Sequence, residues 1–133
     1  MIKGVHHINL LVRDLEQAMA QWQAQLGVTD FVIDELPGRG VRTARFMAGP
    51  TWIVLVQPVA PGEPQRVLDE QGEGLFLLSL TVDDLEVAVE QVRSGGGGTT
   101  GSQPRRGLED WQIIDIDPDN LCQGRVQLTD SDT

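Results

Sequence analysis

Two imidazoles stand side by side near the start of the chain, His6 and His7, and they are its only histidines. Asn9 follows two residues after His7. An imidazole can ligate a divalent metal, act as a general base or hydrogen-bond donor to a ligand, or serve as a structural group tied up by its neighbours. All three roles are open to His7, which is the best catalytic candidate in the chain. His6 is expected to pack or bond in the interior, beneath a helix. The remaining reactive side chains are scattered. Arg42 and Arg45 fall on opposite faces of one strand-like stretch, so only one of them can enter a given cavity. Arg125 shares a face with Gln127 and is the better candidate for an anion contact. Asp115 is the only carboxylate inside a strand-like stretch that could enter such a cavity, and a place at its rim is expected. Glu109 and Asp110 read as solvated loop residues. Cys122, the single cysteine, has no histidine near it in sequence, which argues against a nucleophilic pair. Four consecutive glycines, Gly95 to Gly98, invite a phosphate-loop reading. It is set aside because the run leaves a helix instead of entering one and no Lys-Ser/Thr follows.

The stretch that must position the histidines is VHHINLLVRDLEQAMAQWQAQLG, Val5 to Gly27. Val5 to Val12 has strand composition, with His6, His7 and Asn9 its only polar members. Asp14 is placed to cap a helix, Gln17 stands where a capping-box partner belongs, and Leu15, Ala18, Met19, Trp22 and Leu26 recur at helical spacing before Gly27. The unit returns 70 residues later: VDDLEVA, Val82 to Ala88, repeats VRDLEQA, Val12 to Ala18, at five of seven positions. A repeat near half the chain length points to a duplicated module rather than a solenoid.

Three strands follow the first helix: Thr29 to Leu36, Val41 to Met47 and Thr51 to Gln57, separated by Pro37-Gly38-Arg39-Gly40 and Ala48-Gly49-Pro50 turns. Pro58 to Gly74 is a Pro/Gly-rich connection in which Gln65 to Gln71 can make a turn or two of helix. The second module opens with Leu75 to Val82, continues through a helix bearing Leu85, Ala88, Val89 and Val92, and ends in short strands at Thr99 to Gln103, Trp111 to Asp117 and Arg125 to Thr129. Turns around Pro104 and at Asp117-Pro118-Asp119-Asn120 separate them. The expected fold class is α+β: two βαβββ modules forming a cupped mixed β-sheet with helices outside. Module 1 spans residues 4–58, a linker 59–73, and module 2 residues 74–130, all within one domain.

Bulk properties narrow the function classes. A chain of 133 residues at 40% hydrophobic can bury a core without staples. A formal charge of −10, with 5% aromatics and no tyrosine, disfavours a nucleic-acid partner. No signal-peptide h-region and no apolar run of about 18 residues is present, so a cytoplasmic protein without a membrane partner is expected.

Alternation along the first strand puts Ile8, Leu10 and Val12, with His6, toward the helix, and His7, Asn9 and Leu11 on the other face. Two such sheets placed side by side would enclose a cavity, where small ligands bind. The repeat partner of His7 is Leu77, and the last strands of the two modules align Val54 with Gln127. Of these four inward positions two are polar and two aliphatic, whereas a divalent metal normally takes three or four N, O or S donors. Trp52 shares a face with Val54 and can wall a planar or apolar ligand. The register of Trp111 is not fixed by the sequence.

With these motifs, together with TWIVLVQP and IDIDPDN, the chain resembles the vicinal-oxygen-chelate superfamily, which includes glyoxalase I, methylmalonyl-CoA epimerase, bleomycin-resistance proteins, fosfomycin-resistance enzymes and extradiol dioxygenases. The resemblance covers residues 4–130, and the linker and GEG lead-in are most similar to the epimerase branch. It implies a metal held by a first-strand histidine, a fourth-strand Glu, Gln or His, a fifth-strand histidine and a last-strand glutamate. Those positions carry His7, Val54, Leu77 and Gln127, a degenerate set. The reading that follows is a metal-independent protein that binds a small organic molecule against Trp52, Val54 and Leu77, with His7, Asn9, Gln127 and Arg125 giving directional contacts and no cofactor. The alternative is a divalent-metal-dependent lyase, isomerase or dioxygenase of glyoxalase type. The resemblance also implies a homodimer.

Overall fold

The duplicated DLE motif starts two helices in the same way. In a computed structural model of the protein, which describes residues 1–117, 121 and 124–131, Asp14 and Asp84 are extended N-cap residues whose Oδ1 atoms accept hydrogen bonds from Gln17 N at 3.0 Å and Val87 N at 3.1 Å. Each satisfies one of the orphan donors at a helix start. The helices are α1, Leu15–Leu26, and α3, Leu85–Ser94. Gly27 ends α1 with φ of 71°, a left-handed cap that glycine adopts without strain. A third helix, α2, Glu63–Gln71, occupies the inter-module connection. No helix among the described residues is long and apolar enough to cross a membrane.

The strands are β1 (Ile2–Leu11), β2 (Val32–Leu36), β3 (Val41–Ala48), β4 (Thr51–Pro58), β5 (Gly74–Val82), β6 (Arg105–Arg106), β7 (Gln112–Asp115) and β8 (Val126–Asp130). The chain divides into two compact units, residues 8–76 and residues 1–7 with 77–133; β1 gives its first part to the latter and its last part to the former. Within residues 8–76 the strand order is β2-β3-β4-β1, with β2, β3 and β4 antiparallel. Their helix-side face packs Val12, Ala44 and Leu55 against Leu15 and Ala18 of α1, with Leu10, Met19, Trp22 and Phe31 around them. Ala44 and Leu55 are fully buried, and a buried leucine contributes about 1.5–3 kcal/mol relative to an exposed one.

In the other unit the order is β1-β5-β8-β7-β6. β5 and β8 run parallel, β7 is antiparallel to β8 and β6 to β7, so the sheet is mixed and the protein α+β as expected. Its helix-side core joins Val82, Ile114, Ile116 and Leu128 to Leu85, Ala88 and Val89 of α3. Alternation from these residues puts Leu77, Ser79, Gln127, Thr129, Ile113 and Asp115 on the opposite face.

One expected strand is not formed. Thr99 to Gln103 contributes only an isolated bridge from Thr99 to Ile116, because the Thr99 hydroxyl donates to the Gly101 carbonyl at 2.5 Å and bends the chain there. The edge pairing passes instead to Arg105–Arg106. Cys122 and most of the Asp117-Pro118-Asp119-Asn120 turn lie outside the described residues.

Candidate functional site

The unit formed by residues 1–7 and 77–133 gathers a polar chain on the sheet face away from α3. His7 is 4% exposed and Gln127 3%. The antiparallel register pairs Gln127 with Asp115, and the Gln127 Nε2 amide donates to Asp115 Oδ1 at 3.0 Å. Arg105 Nη1 donates to the other carboxylate oxygen at 2.6 Å. Because a carboxylate only accepts, Asp115 dictates which way the Gln127 amide points, leaving Oε1 turned elsewhere. That buried oxygen closes no hydrogen bond of good geometry among the described residues.

At the other end the two histidines meet, Nδ1 to Nδ1, at 2.9 Å. Trp111 packs on both: its ring is stacked on His7 at 5.0 Å between centroids and lies edge-on to His6 at 4.5 Å. Burial removes water from the His7 imidazole, and the neighbouring His6 adds charge repulsion. Together they push its pKa down to about 3, while a hydrogen-bonding influence from Gln127 pulls weakly the other way. Burial also lowers the pKa of His6. Both rings are therefore neutral at physiological pH. The same face carries a buried hydroxyl pair, Ser79 with Thr129.

The structure sets Gln127 within hydrogen-bonding influence of His7 and adds two residues that the sequence did not single out for this role. Asp115, expected at a rim, is the acceptor that orients Gln127, and Arg105 pairs with it. His6 is buried as expected, but its ring partners are His7 and Trp111. Leu77, on the Gln127 face, is half-buried. Arg125 lies just before β8, and its carbonyl accepts from Leu78 N at 3.0 Å; Arg105 contributes a guanidinium to the polar chain. Glu109 and Asp110 are exposed, as expected of loop residues.

In the unit of residues 8–76, Val54 is 1% exposed and faces away from α1. Its cross-strand partner is Arg45, which settles which arginine shares its face. Arg45 is also 1% exposed, ion-paired to Asp34, with its guanidinium carbon 4.9 Å from the centre of the Trp52 ring. Such a cation–π contact contributes about 0.5–2 kcal/mol. Arg42 goes to the helix side, bonding Glu16 at 2.7 Å. Thr43 Oγ1 and Asn9 Oδ1 are buried in this unit without a hydrogen-bond partner among the described residues.

Two of the four positions that the resemblance implies for a metal carry aliphatic side chains. Leu77 and Val54 have no donor atoms, Gln127 has its Nε2 bonded to Asp115 and its Oε1 unpartnered, and no cluster of three His, Cys, Asp or Glu suited to a metal occurs among the described residues. In the unit of residues 1–7 and 77–133, the His7 ring and the Oε1 of Gln127 are the donors that remain of that set, fewer than the three or four a divalent ion normally takes.

The mixed sheet with capped helices on duplicated DLE motifs defines the βαβββ class of fold. The family model described as Glyoxalase/Bleomycin resistance protein/Dioxygenase superfamily matches residues 6–114, and the chain belongs to that family. It is 26% identical over 131 residues to the ethylmalonyl-CoA/methylmalonyl-CoA epimerase of Cereibacter sphaeroides, an alignment covering 96% of this chain and 98% of the relative. Among solved structures it is similar to methylmalonyl-CoA epimerase from Mycobacterium tuberculosis, with a TM-score of 0.92, 24% identity and coverage of 99% and 90% of the two chains. A variant of Streptomyces coelicolor methylmalonyl-CoA epimerase, in complex with 2-nitronate-propionyl-CoA, gives a TM-score of 0.90 at 20% identity with both chains fully covered. These two likenesses bear on the fold.

Proposed function

We propose that this protein binds a small organic molecule through His7 and Gln127 without a divalent metal at the position that its family uses for one. The observation that carries the reading is the donor set: Leu77, without a donor atom, shares a face with a glutamine whose amide donates to Asp115 at 3.0 Å. Trp111, Leu77 and Ile113 supply apolar surface in the same unit. The names of the relatives put acyl-CoA thioesters among the molecules to try first.

The state of His7 favours holding a ligand over moving a proton. A general base works best with a pKa near the operating pH, and an imidazole at about 3 is far below that. What it offers at neutral pH is a fixed hydrogen-bonding edge.

Methylmalonyl-CoA and acetyl-CoA, titrated in the presence of EDTA and followed through the His7 and Trp111 ring resonances, test the proposal, with deuterium exchange at the acyl α-carbon measured in parallel. Saturable shifts without exchange support it. Exchange that EDTA abolishes and an added divalent metal restores would overturn it.

A further inference from the structure

The contact between the two histidines has a consequence for what His7 can recognise. Two neutral imidazoles meeting Nδ1 to Nδ1 share one proton: one ring must donate and the other accept. Each ring carries a single N–H, so the pair has two arrangements. In the first, His6 carries its proton on Nδ1 and His7 on Nε2. In the second these are reversed, and His7 presents a bare Nε2, as a metal-ligating histidine does.

The surroundings separate the two. His6 Nε2 is buried without a hydrogen-bond partner among the described residues. As an N–H it would be an orphaned buried donor, which folded proteins rarely tolerate; as a lone pair it costs less. The His7 ring is within hydrogen-bonding influence of Gln127, whose Nε2 donates to Asp115 and whose Oε1 has no bond of good geometry among the described residues. An oxygen there favours a ring that donates.

We propose that His6 is a positioning residue: by donating its Nδ1–H to His7, it holds the His7 proton on Nε2 and makes His7 a hydrogen-bond donor beside the accepting oxygen of Gln127. The proposal rests on the reading of His7 and Gln127 as ligand contacts and names the chemistry they select. A ligand that enters between them accepts from His7 and donates to Gln127. A carboxamide edge does both, whereas a carboxylate meets the lone pairs of Oε1. Asp115 and Arg105 complete the device by fixing the amide of Gln127.

Long-range ¹H–¹⁵N spectra of the full chain, which distinguish protonated from bare ring nitrogens, test this directly. In the wild type His7 should be protonated on Nε2 and bare at Nδ1, with His6 the reverse. The variant H6F removes the donor and should leave His7 in mixed tautomers. The variant H6N, whose amide nitrogen can stand in for Nδ1–H, should restore the single form. A wild-type His7 protonated on Nδ1, or one unchanged in H6F, would overturn the assignment. Benzamide and benzoate serve as probes of the ligand edge: shifts of the His7 ring signals at least several-fold larger with benzamide support it, and an equal, reversed or absent response overturns it. The tautomer readout needs neither ligand nor metal, so it can fail while metal-free binding stands, and metal-dependent exchange can sink that reading while the tautomer stands.

Discussion

Lowering the pH from 7.5 to 5.0 should cost this protein stability through a histidine that stays neutral. The His7 imidazole has an ordinary pKa of 6.5 when the chain is unfolded and about 3 in the fold. Below pH 6.5 the unfolded chain takes up a proton at this site and the native state does not, so the unfolded state binds more protons and stability falls as pH falls. At pH 5.0 the loss works out to about 2 kcal/mol from His7 alone, growing by about 1.4 kcal/mol for each further unit until the folded pKa is reached. His6 acts in the same direction, because burial lowers its pKa too. Urea unfolding at half-unit steps over this range, on wild type and on H7Q, reads the term, since groups away from the site cancel in the difference and most carboxylates titrate lower, and the neighbouring His6 acts in the same direction. The wild type should lose about 2 kcal/mol more than H7Q between pH 7.5 and 5.0. A difference that stays constant within about 0.5 kcal/mol would show that His7 titrates normally in the fold, and the account of a neutral imidazole would be wrong.

Two further outcomes follow from the geometry. D14A and D84A each remove an N-cap acceptor from a helix that starts at a duplicated motif, and each should lower unfolding free energy by about 1 kcal/mol in urea titrations. D115N replaces the acceptor that orients Gln127 and the partner of Arg105; it should cost about 1 kcal/mol and split or shift the Gln127 side-chain amide resonances, whereas an unchanged amide spectrum would show that Asp115 does not orient it.

Much of the fold was legible because it rests on periodicity and on the repeat. VDDLEVA and VRDLEQA forecast both capped helices. Alternation along β1 sent Leu10 and Val12 to α1, and the face given to Val54 on β4 is the one turned away from it. What stayed hidden depends on register and on ring orientation. Arg42 and Arg45 lie on opposite faces whatever the pairing, and it takes the pairing of Arg45 with Val54 to show which one is buried beside Trp52. Arg105 sits on a two-residue strand that no propensity marks. Its link through Asp115 to Gln127 becomes visible only once β6, β7 and β8 are in register. Alternation also places His6 and His7 on opposite faces, yet their rings turn to meet each other and Trp111. No local pattern encodes that contact.

The proposed metal-free site is the centre of the account, and equilibrium dialysis against Co²⁺, Ni²⁺ and Zn²⁺ followed by elemental analysis tests it most directly, with L77H/Q127E as the comparison. Wild type should retain far less than one equivalent of any of the three, while the double variant, which adds two donors on the face that Gln127 occupies, takes up about one equivalent. One tightly held equivalent in the wild type, lost when His7 is replaced, would contradict the account.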